Sequence, residues 1–155
     1  MNAAFEELLD RDGYFVYRTR GVSMEPMLRQ NRDLVTVRVP VSRLKKYDVA
    51  LYKRGKAYVL HRVVAVKDGY YLIRGDNTYA LETVPDGAVI GVLESFQRKG
   101  KQIGAKNRGY QLYVRVWNAI YPLRVLRIRA RRMAVKAARK LGVLPLIRKM
   151  LGKVE

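Results

Sequence analysis

Between Tyr14 and Phe96 the chain breaks into six short segments: Tyr14 to Thr19, Leu34 to Val39, Asp48 to Tyr52, Ala57 to Val66, Tyr70 to Arg74 and Val89 to Phe96. Each is rich in β-branched and aromatic residues and is bounded by Gly, Asp, Asn or Pro, which is the pattern of strands separated by turns. Lys53-Arg54-Gly55-Lys56 and Lys67-Asp68-Gly69 read as hairpin connections, the glycine supplying the positive φ that tight turns need. The strands on either side should therefore pair, and the expected architecture is a mainly β, small antiparallel barrel or sandwich. Ahead of it, Phe5, Leu8 and Leu9 predict a short opening helix ended by Asp12-Gly13.

Charge divides the chain more sharply than any linker. Of 155 residues, 32 are Lys or Arg and 13 are Asp or Glu, a formal charge of +19. Every acidic residue except Glu155 lies at or before Glu94. Two parts are expected: a mixed-charge domain over residues 1–104 and a basic helical tail over 105–155, joined by the Gly- and Lys-rich stretch Arg98 to Lys106. In the tail, Leu123, Leu126, Ala130, Met133, Ala134, Ala137 and Leu141 fall on one helical stripe amid arginines and lysines. With Pro122 and Pro145 marking starts or breaks, this predicts helices at Tyr110 to Tyr121, Leu123 to Leu141 and Leu144 to Leu151.

A charge this high implies attraction to a polyanion, phospholipid or nucleic acid. Tyr113, Trp117 and Tyr121 recur four residues apart, as in a core seam or an interfacial belt. The stripe favours an anionic membrane surface as partner, through the basic helices of residues 108–153, over nucleic acid. The acidic N-terminus, with Glu6, Glu7, Asp10 and Asp12, lacks the form of an export signal, and no run of about 20 apolar residues offers an anchor. The expectation is a peripheral, membrane-associated protein on the cytoplasmic side. Nothing in the sequence sets an oligomeric state.

The absence of cysteine excludes disulfides, a thiol nucleophile and thiolate metal sites. A single histidine, His61, argues against a His-rich zinc site. No metal and no cofactor is expected.

Three motifs carry possible chemistry. In Gly21-Val22-Ser23-Met24-Glu25-Pro26-Met27-Leu28 a serine follows a predicted strand and enters a proline-fixed turn. A serine hydroxyl needs a neighbouring base before it can attack, and His61, interior to the predicted strand Ala57 to Val66, has a suitable ordinary pKa of about 6.5. A carboxylate should hold the other imidazole nitrogen, and Asp76 and Glu82 are both candidates. Each motif also has a plain interpretation: Ser23 as a turn residue or helix N-cap, His61 as a satisfied strand histidine, Gly75-Asp76-Asn77 as a hairpin turn.

Taken together and in this order, the three motifs resemble those of the signal peptidase I family, and more distantly those of LexA-like self-cleaving repressors that share its fold. Gly-x-Ser-Met-x-Pro-x-Leu is similar to the nucleophile box, His61-Arg62-Val63 to the general-base box and Gly75-Asp76-Asn77 to the third box. The match covers Tyr14 to Leu93 and, with histidine in place of lysine, resembles the histidine-type branch.

The resemblance implies a signal-peptidase-type fold and a serine endopeptidase cutting a leader or signal peptide. It implies Ser23 as nucleophile, His61 as base, Glu82 or Asp76 as orienting acid, and backbone N–H groups of Gly21 and Ser23 as oxyanion hole. Met24, Pro26, Gly75 and Asn77 would support the boxes. The sequence departs from the family in lacking an N-terminal membrane anchor, in having Gly21 where lysine-type enzymes place a hydroxyl, and in carrying Leu81-Glu82 where the histidine branch has paired aspartates. Two alternatives accompany this expectation: a LexA-like regulatory or self-cleaving protease, and a non-catalytic nucleic-acid-binding barrel with a basic tail.

Overall fold

A computed structural model describes residues 3–140. It is mainly β, with an antiparallel sheet curled into a half-barrel and helices toward the C-terminus, as the alternation of short apolar segments leads one to expect. The elements are α1 (Ala3–Asp12), β1 (Tyr14–Arg18), β2 (Leu34–Arg38), β3 (Val49–Arg54), β4 (Ala57–Lys67), β5 (Tyr70–Arg74), β6 (Glu82–Pro85), β7 (Val89–Arg98), β8 (Lys101–Gly104), α2 (Arg108–Ala119) and α3 (Tyr121–Lys140). The strand order is β1-β2-β7-β3-β4-β5-β6, with β8 paired to β7. The helix expected at Leu144 to Leu151 lies outside the described residues.

Two strands depart from expectation. The stretch Arg98 to Lys106 is not a plain joint: β7 and β8 form a hairpin with Arg98 opposite Lys101, and Lys99 and Gly100 both take positive φ, as a two-residue turn requires. The second, β6, has four residues ending in proline, too short to show an alternating pattern, and pairs with β5 so that Glu82 faces Ile73 across the ladder. Position 82 thereby belongs to the sheet.

Curling follows from β7, the long strand that pairs with both β2 and β3. Register shifts at Thr36/Val37 and at Leu51/Tyr52 place a bulge on each side of it, and bulges bend and twist the sheet locally. Gly91 lies at this bend, where a Cβ would come within 2.4 Å of Val37 Cγ1.

The curled sheet has two apolar clusters. One contains Met24, Met27, Leu28, Val35, Val37, Leu51, Leu60 and Phe96, with Tyr110 and Val114 from the start of α2. The other contains Ala50, Tyr52, Val63, Tyr71, Ile73 and Val84. Period-two alternation along β4 sends Leu60 to the first and Val63 to the second, so the neighbours His61 and Arg62 face different clusters. Helix α1 packs on the first cluster through Leu9, and its Phe5 stacks on Phe15 with ring centres 4.6 Å apart.

The chain divides into two compact units, Met1–Arg115 and Val116–Glu155. The first extends past Gly104 because β8 completes its sheet and Tyr110 and Val114 are buried in its core. In the second, α3 is 20 residues long, and no helix among the described residues is long and apolar enough to cross a membrane.

Candidate active site

The loop carrying Ser23 leaves β1 and returns to β2, and its two ends are tied together. Thr19 N donates to the Asp33 carbonyl at 3.1 Å, Asn31 N to the Thr19 carbonyl at 2.8 Å, and Thr19 Oγ1 to the Arg29 carbonyl at 3.1 Å. Buried Asp33 accepts from Arg29 N at 2.9 Å and pairs with Arg32. Within the loop, Met24, Met27 and Leu28 are buried, anchoring the segment to the core beside a cis Glu25–Pro26 bond. Ser23 itself is half-buried and Gly21, at φ 83°, is exposed.

Gly75-Asp76-Asn77 clamps this loop from outside. Asn77 N donates to the Ser23 carbonyl at 2.7 Å and Asn77 Nδ2 to the Val22 carbonyl at 3.2 Å. Gly75 is buried so closely between the other two motifs that a Cβ there would lie 2.7 Å from the Ser23 carbonyl oxygen and 3.0 Å from His61 Nε2. Both atoms therefore lie within 3.0 Å of one point, which brings the serine-bearing loop and the imidazole together.

His61 is 5% exposed and pairs with Ala50 across the β3–β4 ladder, so Tyr52 is its diagonal neighbour. His61 Nδ1 lies 3.2 Å from Glu82 Oε1 and 3.2 Å from Tyr52 Oη, while Tyr52 Oη donates to Glu82 Oε2 at 2.9 Å. Tyrosine has one O–H hydrogen. With that hydrogen on Glu82, Tyr52 can only accept from the ring, so Nδ1 carries the imidazole hydrogen and Nε2, on the Gly75 side, holds the free lone pair.

Electrostatics favour the neutral ring. Burial pushes His61 below its ordinary value, with Arg54 acting in the same direction and Glu82 and Asp76 opposing. For Glu82, burial is the largest single influence and opposes ionisation. Hydrogen bonds from Tyr52 and Arg54 and the nearby positive charge outweigh it and bring the carboxyl below the usual range. An ionised carboxylate thus holds a neutral imidazole, an arrangement able to take a proton at Nε2 and stabilise the resulting imidazolium.

Of the two carboxylates left open by the sequence, Glu82 is the one at His61 Nδ1, and Asp76 is placed differently. Asp76 accepts from Arg62 Nε and Nη2, each at 2.7 Å, in a pair whose side chains are 1% and 2% exposed. Arg62 Nη1 further donates to the Tyr47 carbonyl at 2.9 Å and Tyr110 Oη at 3.0 Å, and Nη2 to Met27 Sδ at 3.1 Å. All five guanidinium hydrogens have acceptors, which is what makes burial of this charge tolerable. One side chain thereby joins the Ser23 loop, β4, the Gly75–Asn77 turn and α2.

Ser23, His61, Glu82, Gly21 and Met24 all line one cleft of about 930 Å³, whose walls also include Phe5, Tyr17 and Tyr58. Pro26 is half-buried in the loop. Sequence reasoning missed Tyr52 and Arg54, because only the β3–β4 register places them beside His61 and Glu82. No group of three or more His, Cys, Asp or Glu suited to a metal ion occurs among the described residues. Neither a protein-family model nor a curated protein matches this chain.

Proposed function

We propose that this protein is a serine endopeptidase of the signal-peptidase type, with Ser23 as nucleophile, His61 as general base and Glu82 as the orienting acid. The reading is carried by the point beside Gly75 shared by the Ser23 carbonyl and His61 Nε2, together with Glu82 at Nδ1. It is supported by the order of the three motifs. Ser23 Oγ attacks the scissile carbonyl as its proton passes to Nε2, and backbone N–H groups from Gly21 to Ser23 receive the oxyanion. Collapse of the tetrahedral intermediate expels the amine, which takes the proton from the imidazolium. Water, deprotonated by Nε2, then releases the acyl group and restores Ser23. The substrate is a leader or signal peptide, bound extended.

The test is incubation of the purified protein with leader peptides, with fragments read by mass spectrometry, using Ser23→Ala and His61→Ala variants of unchanged melting temperature. Cleavage by the wild type alone is expected. Equal cleavage by all three proteins, or none by any, overturns the proposal, and fragments of the protein itself in the peptide-free sample favour the self-cleaving alternative.

A second proposal concerns location. Residues 121–140 contain eight Lys and Arg and no acid, and Leu123, Leu126 and Met133 on the apolar stripe are 67%, 64% and 72% exposed. Basic residues alone would suit any polyanion. Large apolar side chains projecting on one stripe suit a lipid interface, where they enter the acyl boundary while arginines meet phosphates. Vesicle flotation is expected to depend on anionic lipid and to be lost in Leu126→Glu/Met133→Glu; flotation of that variant equal to wild type overturns this assignment.

A further inference from the structure

The cleft holding Ser23 and His61 is more strongly positive than the domain around it. Residues 1–104 contain 18 Lys and Arg and 12 Asp and Glu, a net charge of +6. Four of those cations, Arg18, Arg20, Arg54 and Lys56, line this one cleft, and the single carboxylate among its lining residues is Glu82. Half of the domain's net charge is thus concentrated at one opening. Glu82 does not leave a negative site for a ligand, because its oxygens are engaged by Tyr52, His61 and Arg54.

The cations come from two separate parts of the fold. Arg18 ends β1 and Arg20 follows it into the Ser23 loop, while Arg54 and Lys56 flank Gly55 at the β3–β4 turn, where φ is +59°. All four side chains are exposed. Arg18 donates to the Asn31 carbonyl, a neutral acceptor, at 2.9 Å. A cleft with low-dielectric walls concentrates such a field on whatever enters it. The aromatic rings of Phe5, Tyr17 and Tyr58 on the same walls provide apolar surface between the charges.

We propose that the cleft selects extended peptides carrying Asp or Glu within a few residues of the bond presented to Ser23. The inference rests on the peptidase reading for its cleavage step but not for its binding step. Nucleic acid is the less suitable occupant, because Tyr17 and Arg18 of the edge strand β1 line the cleft, and an extended peptide can add its backbone beside such an edge.

The test measures binding by fluorescence anisotropy to full-length Ser23→Ala, with peptides identical except for two Asp or Glu replaced by Asn or Gln. The acidic peptide is expected to bind about 10-fold more tightly at low salt, as two partly screened ion pairs would give. Its advantage should disappear in Arg20→Gln/Lys56→Gln and persist in Lys99→Gln/Lys101→Gln, which removes the same charge from the β7–β8 turn outside the cleft. Equal affinity for the two peptides overturns the inference, as does equal weakening by both double variants. Tighter binding of a single-stranded oligonucleotide, dependent on Arg20 and Lys56, also overturns it in favour of nucleic acid. Selective binding of the acidic peptide without its cleavage by the wild type refutes the peptidase reading and upholds the cleft chemistry.

Discussion

Tyr52 donates its hydroxyl hydrogen to Glu82 at 2.9 Å while standing 3.2 Å from His61 Nδ1, so the phenol braces both the carboxylate and the ring. Burial first, then the Glu82 hydrogen bond and charge, raise its pKa, and it stays a donor across the working pH range. Tyr52→Phe keeps the ring in the core and removes that donor. Peptide cleavage should fall about 10-fold in kcat with little change in KM, and stability by about 1 kcal/mol, the usual worth of one hydrogen bond. A kcat equal to wild type would show that Glu82 alone fixes the ring.

The acid limb of kcat/KM should lie below pH 6.5, because burial disfavours the imidazolium in the free protein. Glu82→Gln removes a charge that favours protonation, so the limb should move further toward acid as activity drops. Arg54→Gln removes a charge that opposes protonation, so the limb should move back toward 6.5. Shifts of the same sign in both variants would be inconsistent with this electrostatic arrangement.

The same displacement bears on stability. As pH falls, the unfolded chain takes up a proton on histidine near 6.5 while the folded chain does not, so stability is lost from about pH 6.5 down toward the folded value. His61→Gln should flatten this part of the curve of unfolding free energy against pH, measured by denaturant titration.

Gly75→Ala tests the contact between the motifs. The added methyl would lie 2.7 Å from a backbone oxygen, which cannot swing aside as the end of a side chain can. The Ser23 loop and His61 must separate, and misplacement on the order of 1 Å can lower turnover about 100-fold. The expected result is loss of cleavage with a folded circular dichroism spectrum. Full activity in this variant would mean that the two groups need not be held so closely.

Asp76 and Glu82 should separate experimentally. Asp76→Asn leaves the buried Arg62 charge without its carboxylate and should destabilise the domain by about 3 to 5 kcal/mol in denaturant titration, and Arg62→Lys should destabilise it in the same direction. Lysine keeps the charge but cannot reproduce five donors in a plane. Glu82→Gln, at a site about a quarter exposed, should alter the pH profile far more than the melting temperature. Reversal of that pattern would reassign the orienting acid to Asp76.

The half-barrel was legible because each of its longer strands shows its own composition and punctuation. Strands β6 and β8 were not, since four residues cannot display an alternating pattern and their existence depends on a partner strand. The choice between Asp76 and Glu82 could not be made from spacing. Adjacent residues of β4 face opposite ways, so Asp76 meets Arg62 and Glu82 meets His61, and only the pairing of β6 with β5 fixes the second contact. The place of Tyr52 beside the imidazole is not legible in the sequence, because its relation to His61 is a diagonal across two strands, visible once Ala50 is known to oppose His61.

The Arg62 guanidinium reaches Met27, Tyr47, Asp76 and Tyr110, groups that lie far apart along the chain. Such a knot leaves little room for a partly assembled centre: loosening any one contact leaves a buried guanidinium hydrogen without its acceptor. Heating should therefore abolish the proposed peptide cleavage and melt the barrel over the same few degrees, with no temperature at which a folded barrel carries a slack Ser23 loop.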